Sequence, residues 1–265
     1  MPHPVEAGGV RVEVCADAAE ACRRAADRVA GVIRDRAAAA GAGAQRPATL
    51  ALATGRSMER VYAELVRQHR HEGLSFRGVT SFNLDEYWPI SPDDPASFRS
   101  YMREHLFAHV DLEPAGAHLP DGEAPRERLA EHCADYERAI RAAGGLDLAL
   151  LGLGLNGHIA YNEPGSGPDS RTRLVELASE SRARSGGGEG GPRHAVSMGI
   201  GTIFEARAIV LLAYGAEKSA IVAAALRGPQ DAAVPASFLQ RHRDLHVLLD
   251  RAAAAGLPAG DVPSR

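Results

Sequence analysis

Three short stretches of this 265-residue chain place chemically competent side chains just beyond apolar runs. In Phe82-Asn-Leu-Asp-Glu-Tyr-Trp88, two adjacent acids, Asp85 and Glu86, follow a strand-like segment. Both cannot hide in one face, and a carboxylate directed into a cleft there can act as a general base. The stretch Leu150 to Pro164 ends an apolar run in spaced glycines and then delivers Asn156, His158, Asn162 and Glu163 within eight residues. An imidazole at 158 can shuttle a proton near neutral pH, with Glu163 orienting or polarising the ring. The third stretch, Ala53-Thr54-Gly55-Arg56-Ser57, runs a strand into a tight turn and then a helix. It offers backbone N–H groups, hydroxyls and the positive end of a helix dipole to an anion.

A compositional bias adds a fourth residue. Of 30 basic side chains only Lys218 is lysine; the other 29 are arginine. Arginine serves equally well on solvated helix faces, so the exception fits a task that a planar guanidinium does poorly, such as presenting a compact charge to a phosphate.

These residues must be positioned by alternating strands and helices. Apolar runs at Val10–Cys15, Ala48–Thr54, Gly78–Leu84, Leu146–Gly152, His194–Gly199, Ala208–Ala213 and Leu245–Asp250 read as strands. Amphipathic stretches at Ala18–Ala40, Ser57–His71, Ala96–His109, Pro125–Ala143, Ala216–Arg227 and Ala236–His242 read as helices. Ser57 has the place of a capping hydroxyl for the second of these, and Ser97 follows two aspartates at the start of the third. The pattern predicts an α/β fold, an open, mostly parallel, Rossmann-like sheet with helices on both faces. No internal repeat or long linker divides it, so a single domain is expected over residues 10–250, with tails at 1–9 and 251–265. In such sheets ligands bind beyond the carboxyl ends of the strands, where all three stretches fall.

Composition excludes several classes. At 45% hydrophobic and 24% charged residues the chain has the make-up of an ordinary globular protein, long enough to bury a core without staples. A net charge of −4 argues against a nucleic-acid partner, and no run approaches 18 apolar residues, which argues against a membrane partner. Cys15, Cys22 and Cys133 are odd in number and contain no C-x-x-C, so neither a disulfide framework nor a zinc ribbon is expected, and a reducing, cytoplasmic location fits best. His105 and His109 have the spacing of helical metal ligands but lack a third partner, and helix packing explains them better. The Gly152-x-Gly154 pair lacks the third glycine of a dinucleotide loop.

Taken together, Thr54-Gly-Arg-Ser57, Phe82-Asn-Leu-Asp-Glu-Tyr87, Gly154-Leu-Asn-Gly-His-Ile-Ala-Tyr-Asn-Glu-Pro164 and Ser170-Arg-Thr-Arg173 resemble the glucosamine-6-phosphate deaminase family, in order, from about Val10 to Asp250. The resemblance implies a hydrolase/isomerase for amino-sugar phosphates, without metal or other cofactor, that gives fructose 6-phosphate and ammonia from glucosamine 6-phosphate. It implies that Asp85 moves the proton from C2 to C1 through an enolamine, that His158 opens the sugar ring with Glu163 and Asn156 beside it, and that Thr54, Gly55, Ser57 and Lys218 hold the phosphate. Many family members carry aspartate where this chain has Asn156, which leaves His158 one anion fewer to favour its charged form. The family's phosphate-binding arginine sits in a lid that is replaced here by the glycine-rich run 185–192, so either Arg184 or Arg56 takes its place. The family includes monomers and hexamers, and a homo-oligomer is compatible with it. Two other readings use the same phosphate site: hydrolysis of 6-phosphogluconolactone with His158 as base toward water, and a non-catalytic phosphosugar sensor. A DNA-bound sensor would need a helix-turn-helix, for which the residues before Val10 leave no room.

Overall fold

The computed structural model describes residues 5–7, 9–41, 46–184 and 191–258; of residues 5–7, 40, 41, 180, 183 and 184 it describes the backbone only. Among these residues eleven strands form two sheets. The larger sheet contains β1 (Val5–Ala7), β2 (Val10–Cys15), β3 (Thr49–Leu52), β4 (Thr80–Asn83), β6 (Ala117–His118), β7 (Leu148–Gly152), β10 (Ala208–Ala213) and β11 (Leu245–Asp250). Their spatial order is β1-β2-β11-β10-β7-β3-β4-β6, and every pair is parallel except β1 with β2. Leu50–Leu52, Leu148–Leu151 and Ile209–Ala213 are buried without a polar alternation. Such strands need cover on both faces, and helices supply it. The helices are α1 (Ala18–Gly41), α2 (Arg56–Glu72), α3 (Phe98–His105), α4 (Leu129–Ala142), α5 (Ser179–Arg184), α6 (Ile200–Phe204), α7 (Ser219–Arg227) and α8 (Arg251–Ala254). None of them is long and apolar enough to cross a membrane.

The smaller sheet was not expected from the sequence. It joins β5 (Asp85–Trp88), β9 (His194–Ser197) and β8 (Arg173–Glu176), all antiparallel, with β9 in the middle. The 194–199 run is therefore a strand, as its composition suggests, but of this sheet and not of the parallel one. The acids at 85 and 86, which follow the strand expected over Gly78–Leu84, open a second strand of their own.

Several boundaries also move. Gly55, at φ 98°, precedes the first residue of α2, so Ser57 lies inside that helix and makes no cap. Ser97 does cap α3, accepting a hydrogen bond from the Arg99 amide. His105 ends α3 and His109 lies in a separate turn, so the two do not share a helix face. Val5–Ala7 pairs with Val10–Val12, and α8 buries Ala253 and Ala254, so both expected tails contribute to the fold.

Strand order fixes where a ligand can bind. From β3 the chain moves outward through β4 to β6, then returns to the other side of β3 for β7, β10 and β11. Beyond the carboxyl ends of β3 and β7 the two directions part, which leaves a crevice at the switch point.

The opposite ends of the same strands are tied by one carboxylate. Asp147, just before β7, is 2% exposed and accepts hydrogen bonds from Arg36 (2.6 Å), Arg46 (2.9 Å) and Arg207 (2.8 Å). It also accepts the Thr49 amide of β3 at 2.8 Å. Three cations converge on one anion, so removing it leaves mutual repulsion and an unpaired amide. Asp147→Ala is expected to lose about 2–4 kcal/mol in denaturant unfolding, below the range for fully buried pairs because the arginines are partly solvated. Turnover of the folded fraction should be unchanged, since the substitution lies at the far end of the sheet from the crevice.

Candidate active site

A cleft of about 410 Å³ opens at the switch point. The carboxyl ends of four neighbouring strands build it: β4 leads to Asp85, β3 to Thr54–Ser57, β7 to Gly152–His158, and β10 to Lys218. Of the residues singled out in sequence, Thr54–Ser57, Asp85, His158 and Lys218 thus line one cleft, and Glu86, Asn156, Asn162 and Glu163 do not.

Asp85 is 6% exposed, and no ion pair of its carboxylate is found among the described residues. Burial, and secondarily the charge of Glu86, pushes its carboxyl up to about 8. Glu86 itself serves a different end. Successive strand residues face opposite ways, and the Glu86 carboxylate accepts the amides of Phe98 (2.8 Å) and Arg99 (3.0 Å), the Tyr87 amide (2.9 Å) and the Ser97 hydroxyl (2.9 Å). It closes the N-terminus of α3, where an anion is favoured. Burial still raises it, with these donors working against the shift. From α3, the Tyr101 hydroxyl reaches across to the Gly55 carbonyl at 2.9 Å and steadies the turn before α2.

His158 lines the cleft, while Glu163 and Asn156 stand behind it. The His158 Nδ1 lies 3.4 Å from Glu163 Oε2, and Asn156 Nδ2 donates to the same oxygen at 2.8 Å. Asn156 Oδ1 in turn accepts the His158 amide at 3.2 Å. Burial alone would raise Glu163, but hydrogen bonds from His158, Ser181 and Asn156, together with the His158 charge, outweigh it and hold the carboxyl at about 2. Glu163 is therefore a fixed anion, able to hold the imidazole by its Nδ1 side and leave Nε2 for a substrate. Gly154 makes the ring's position available: a Cβ there would lie 2.4 Å from both Cε1 and Nδ1 of His158. Gly154 is thus room for the ring of His158 itself.

At the other end of the cleft, Thr54, Gly55, Arg56 and Ser57 face Lys218. The first turn of α2 has N–H groups with no partner inside the helix. Lys218 Nζ donates to the Leu153 carbonyl just beyond β7, which holds the ammonium over the cleft. Arg56 is exposed and lines the cleft, whereas the side chain of Arg184 and residues 185–190 lie outside the described residues. Among the described residues no three His, Cys, Asp or Glu side chains are grouped to hold a metal.

The sequence reading missed an aromatic wall. Tyr87, Phe98 and Tyr161 line the cleft between Asp85 and His158, and the Tyr161 hydroxyl donates to that of Tyr87 at 2.8 Å. Phe98 and Tyr161 are stacked at 14° with centroids 6.1 Å apart. Tyr87 and Tyr161 stood inside the quoted motifs, but only tertiary structure brings Phe98 to them. Ser181, from α5, also lines the cleft and lies 3.5 Å from His158 Nδ1.

Residues 16–247 match the family described as glucosamine-6-phosphate isomerases/6-phosphogluconolactonase. A glucosamine-6-phosphate deaminase of Bacillus velezensis is 47% identical over 217 residues, 80% of this chain and 89% of its own. That of Rhodopirellula baltica is 43% identical over 251 residues, 93% of this chain and 95% of its own. Among solved structures, a monomeric glucosamine-6-phosphate deaminase superposes with a TM-score of 0.85 at 37% identity, covering 92% of this chain and 99% of its own. The 6-phosphogluconolactonase of Trypanosoma brucei, at 22% identity and a TM-score of 0.73 over 97% of this chain and 100% of its own, shares the fold alone. A match over residues 16–247, which takes in β3, β4, β7 and β10 and the strand ends around the cleft, means that the chain belongs to the glucosamine-6-phosphate isomerase/6-phosphogluconolactonase family.

Proposed function

We propose that the protein converts glucosamine 6-phosphate and water to fructose 6-phosphate and ammonia, an aldose–ketose isomerisation with loss of the amine. The observation that carries the reading is the placement of Asp85, His158 and Lys218 on one 410 Å³ cleft. The phosphate is held by the backbone and hydroxyls of Thr54, Gly55 and Ser57, by Lys218, and by Arg56 from the side opposite the lysine. His158, oriented by Glu163 and Asn156, moves the proton of the anomeric hydroxyl to the ring oxygen and opens the pyranose. Asp85 then takes the C2 proton, made acidic by the neighbouring aldehyde, and the electron pair forms the C1=C2 bond of the enolamine as O1 takes a proton from the substrate's own ammonium. The protonated Asp85 returns a proton to C1, which leaves an imine at C2. Water adds to that carbon, and the C–N bond breaks to release ammonia. A carboxyl near 8 suits both halves of this transfer, because it is neither too weak to take the proton nor too strong to give it back.

Lactone hydrolysis would use the imidazole and the phosphate site but has no task for a desolvated carboxylate at 85. That asymmetry favours the isomerase. The free, buried cysteines fit a reducing compartment, and we place the enzyme in the cytoplasm, acting on a small phosphorylated amino sugar.

The direct test is ammonia release across a panel of amino-sugar phosphates, with Asp85→Asn as the control. The wild type should release ammonia and the variant should turn over about 10²–10⁴-fold more slowly while still binding substrate. Lactone consumption without ammonia would overturn the assignment. The pH dependence has a defined sign. The base works only when ionised, so kcat/KM, corrected for substrate ionisations, should climb up to about pH 8. In the same interval, from about 4 to 8, stability should fall with rising pH, because the unfolded carboxyl ionises first; the Asp85→Asn melting temperature should therefore exceed the wild type's by more at pH 8 than at pH 4.

Two further substitutions separate the ends of the cleft. Gly154 has no left-handed φ, so Gly154→Ala is tolerated by the backbone but displaces the His158 ring. It should lower kcat by roughly 10²-fold with little change in phosphate binding, as expected for a misplaced group. Arg56→Ala should weaken the phosphorylated sugar several-fold and leave the non-phosphorylated sugar unaffected in calorimetry; equal weakening of both would remove Arg56 from the phosphate site.

A further inference from the structure

Arg173 closes the Ser170-Arg-Thr-Arg173 segment, lies outside the lining of the cleft, and is bound in an unusual way. It is half-buried, yet its acceptors are neutral: Asn162 Oδ1 at 2.9 Å, Ser166 Oγ at 2.9 Å and the Arg171 carbonyl at 3.3 Å. Asn162 and Ser166 are the two ends of the turn that carries Glu163, and the Ser166 amide bonds the Glu163 carbonyl at 3.0 Å within it. Asn162 is fully buried, and its Nδ2 also donates to the carbonyls of Ile159 (3.0 Å) and Met198 (2.8 Å). One guanidinium thus spans the turn.

The other end of the segment is anchored. The Thr172 amide and hydroxyl bond Glu137 of α4 at 3.0 and 2.6 Å, and Arg171 and Thr202 bond the same carboxylate. Ser170 accepts the Ile200 amide at 2.9 Å, and a Cβ on Gly199 would come within 2.0 Å of the Ser170 carbonyl. Arg173 therefore works from a fixed base.

Register supplies the link to the proposed chemistry. In the smaller sheet Asp85 lies opposite Ser197, and Ser197 lies opposite Arg173. Residues directly opposite in an antiparallel sheet share a face, so base, serine and arginine form one row. Ser197 Oγ accepts the Tyr161 amide at 3.1 Å, and Arg173 holds Asn162 and Ser166. The row that carries Asp85 also grips the 161–166 stretch at three points.

We infer that Arg173 is a positioning residue that sets the Glu163–His158 pair at its working distance from Asp85 by clamping Asn162 and Ser166. It touches no substrate. Its effect on turnover rests on the deaminating-isomerase reading, but its effect on the loop does not.

The test compares Arg173→Gln, Arg173→Lys, Ser166→Ala and the Arg173→Gln/Ser166→Ala double variant with the wild type, whose ammonia release is measured first. Arg173→Gln should lower kcat by about 10–10²-fold, with KM, and the inhibition constant of a reduced, open-chain amino-sugar phosphate, within about twofold of wild type, because the phosphate site and Asp85 are untouched. Arg173→Lys, which reaches one acceptor and not both, should fall between them. The double variant should be no slower than Arg173→Gln alone, since both changes break the same clamp. Hydrogen exchange of the 156–166 segment should speed up in Arg173→Gln while that of the 54–57 turn stays as in the wild type. Unchanged kcat, additive losses in the double variant, or an equal weakening of the open-chain inhibitor would each overturn the inference. A wild type without ammonia release would overturn the functional reading instead; the exchange result would then decide the clamp alone.

Discussion

The site depends on one constraint of the β-strand: neighbouring side chains point to opposite faces. Asp85 and Glu86 are chemically near-identical, and β5 sends them into different environments. Asp85 lines the cleft, with no ion pair among the described residues, and burial makes it a weak acid. Glu86 meets the amino end of α3 and four hydrogen-bond donors, and becomes structure. A slip of one residue in the β5–β9 register would exchange the two, placing the helix cap in the cleft and the base against the helix. The function of the pair is set by the pairing of Asp85 with Ser197, more than by the identity of the acids.

The same principle of divided roles governs Asp85 and Glu163. One carboxyl is raised to about 8 by burial, and the other is held near 2 by its donors, although both are removed from water. The difference is the company each keeps. Asn156, Ser181 and His158 turn toward Glu163, whereas Asp85 faces the wall of Tyr87, Phe98 and Tyr161. Two acids separated in this way can divide proton transfer and charge stabilisation between them at a single pH. With Asn156 in place of an acid, Glu163 is the one carboxylate in ion-pair contact with His158 among the described residues, and the ring's orientation leans on the turn that carries it.

Much of this was legible in the chain. The central parallel strands β7 and β10 are unbroken apolar runs, and the run Ala208–Ala213 is the strand to the residue. Asp85, His158 and Lys218 stood out by type and place, and the motifs around them carried the family resemblance. The smaller sheet was not legible, because its strands are four residues each and two of them, Asp85-Glu-Tyr-Trp88 and Arg173-Leu-Val-Glu176, begin or end in charge. Their pairing joins positions far apart in the chain, which local pattern does not encode. The capping role assigned to Ser57 failed for a related reason: Gly55 can adopt φ 98° and start the helix two residues early. Likewise the part played by Gly154 was not legible, because only the folded loop shows which ring returns to it.

The two ends of the cleft also differ in how firmly they are specified. The end of the cleft proposed for the phosphate is built mostly from the chain itself, a glycine turn, a helix terminus and a carbonyl that holds Lys218, so its shape follows from strand order. The end proposed for the chemistry is built from side chains on 85–87 and 154–163 and braced by 170–173, segments that are close only because the smaller sheet joins them to the larger. An electrostatic arrangement of that kind is effective only if it is fixed before the substrate arrives. Asp147 ties the far ends of β3, β7 and β10, away from the cleft, while the row through Asp85, Ser197 and Arg173 braces the cleft itself. The parallel sheet thus provides a place for a sugar phosphate, and the three-stranded sheet determines what is done to it.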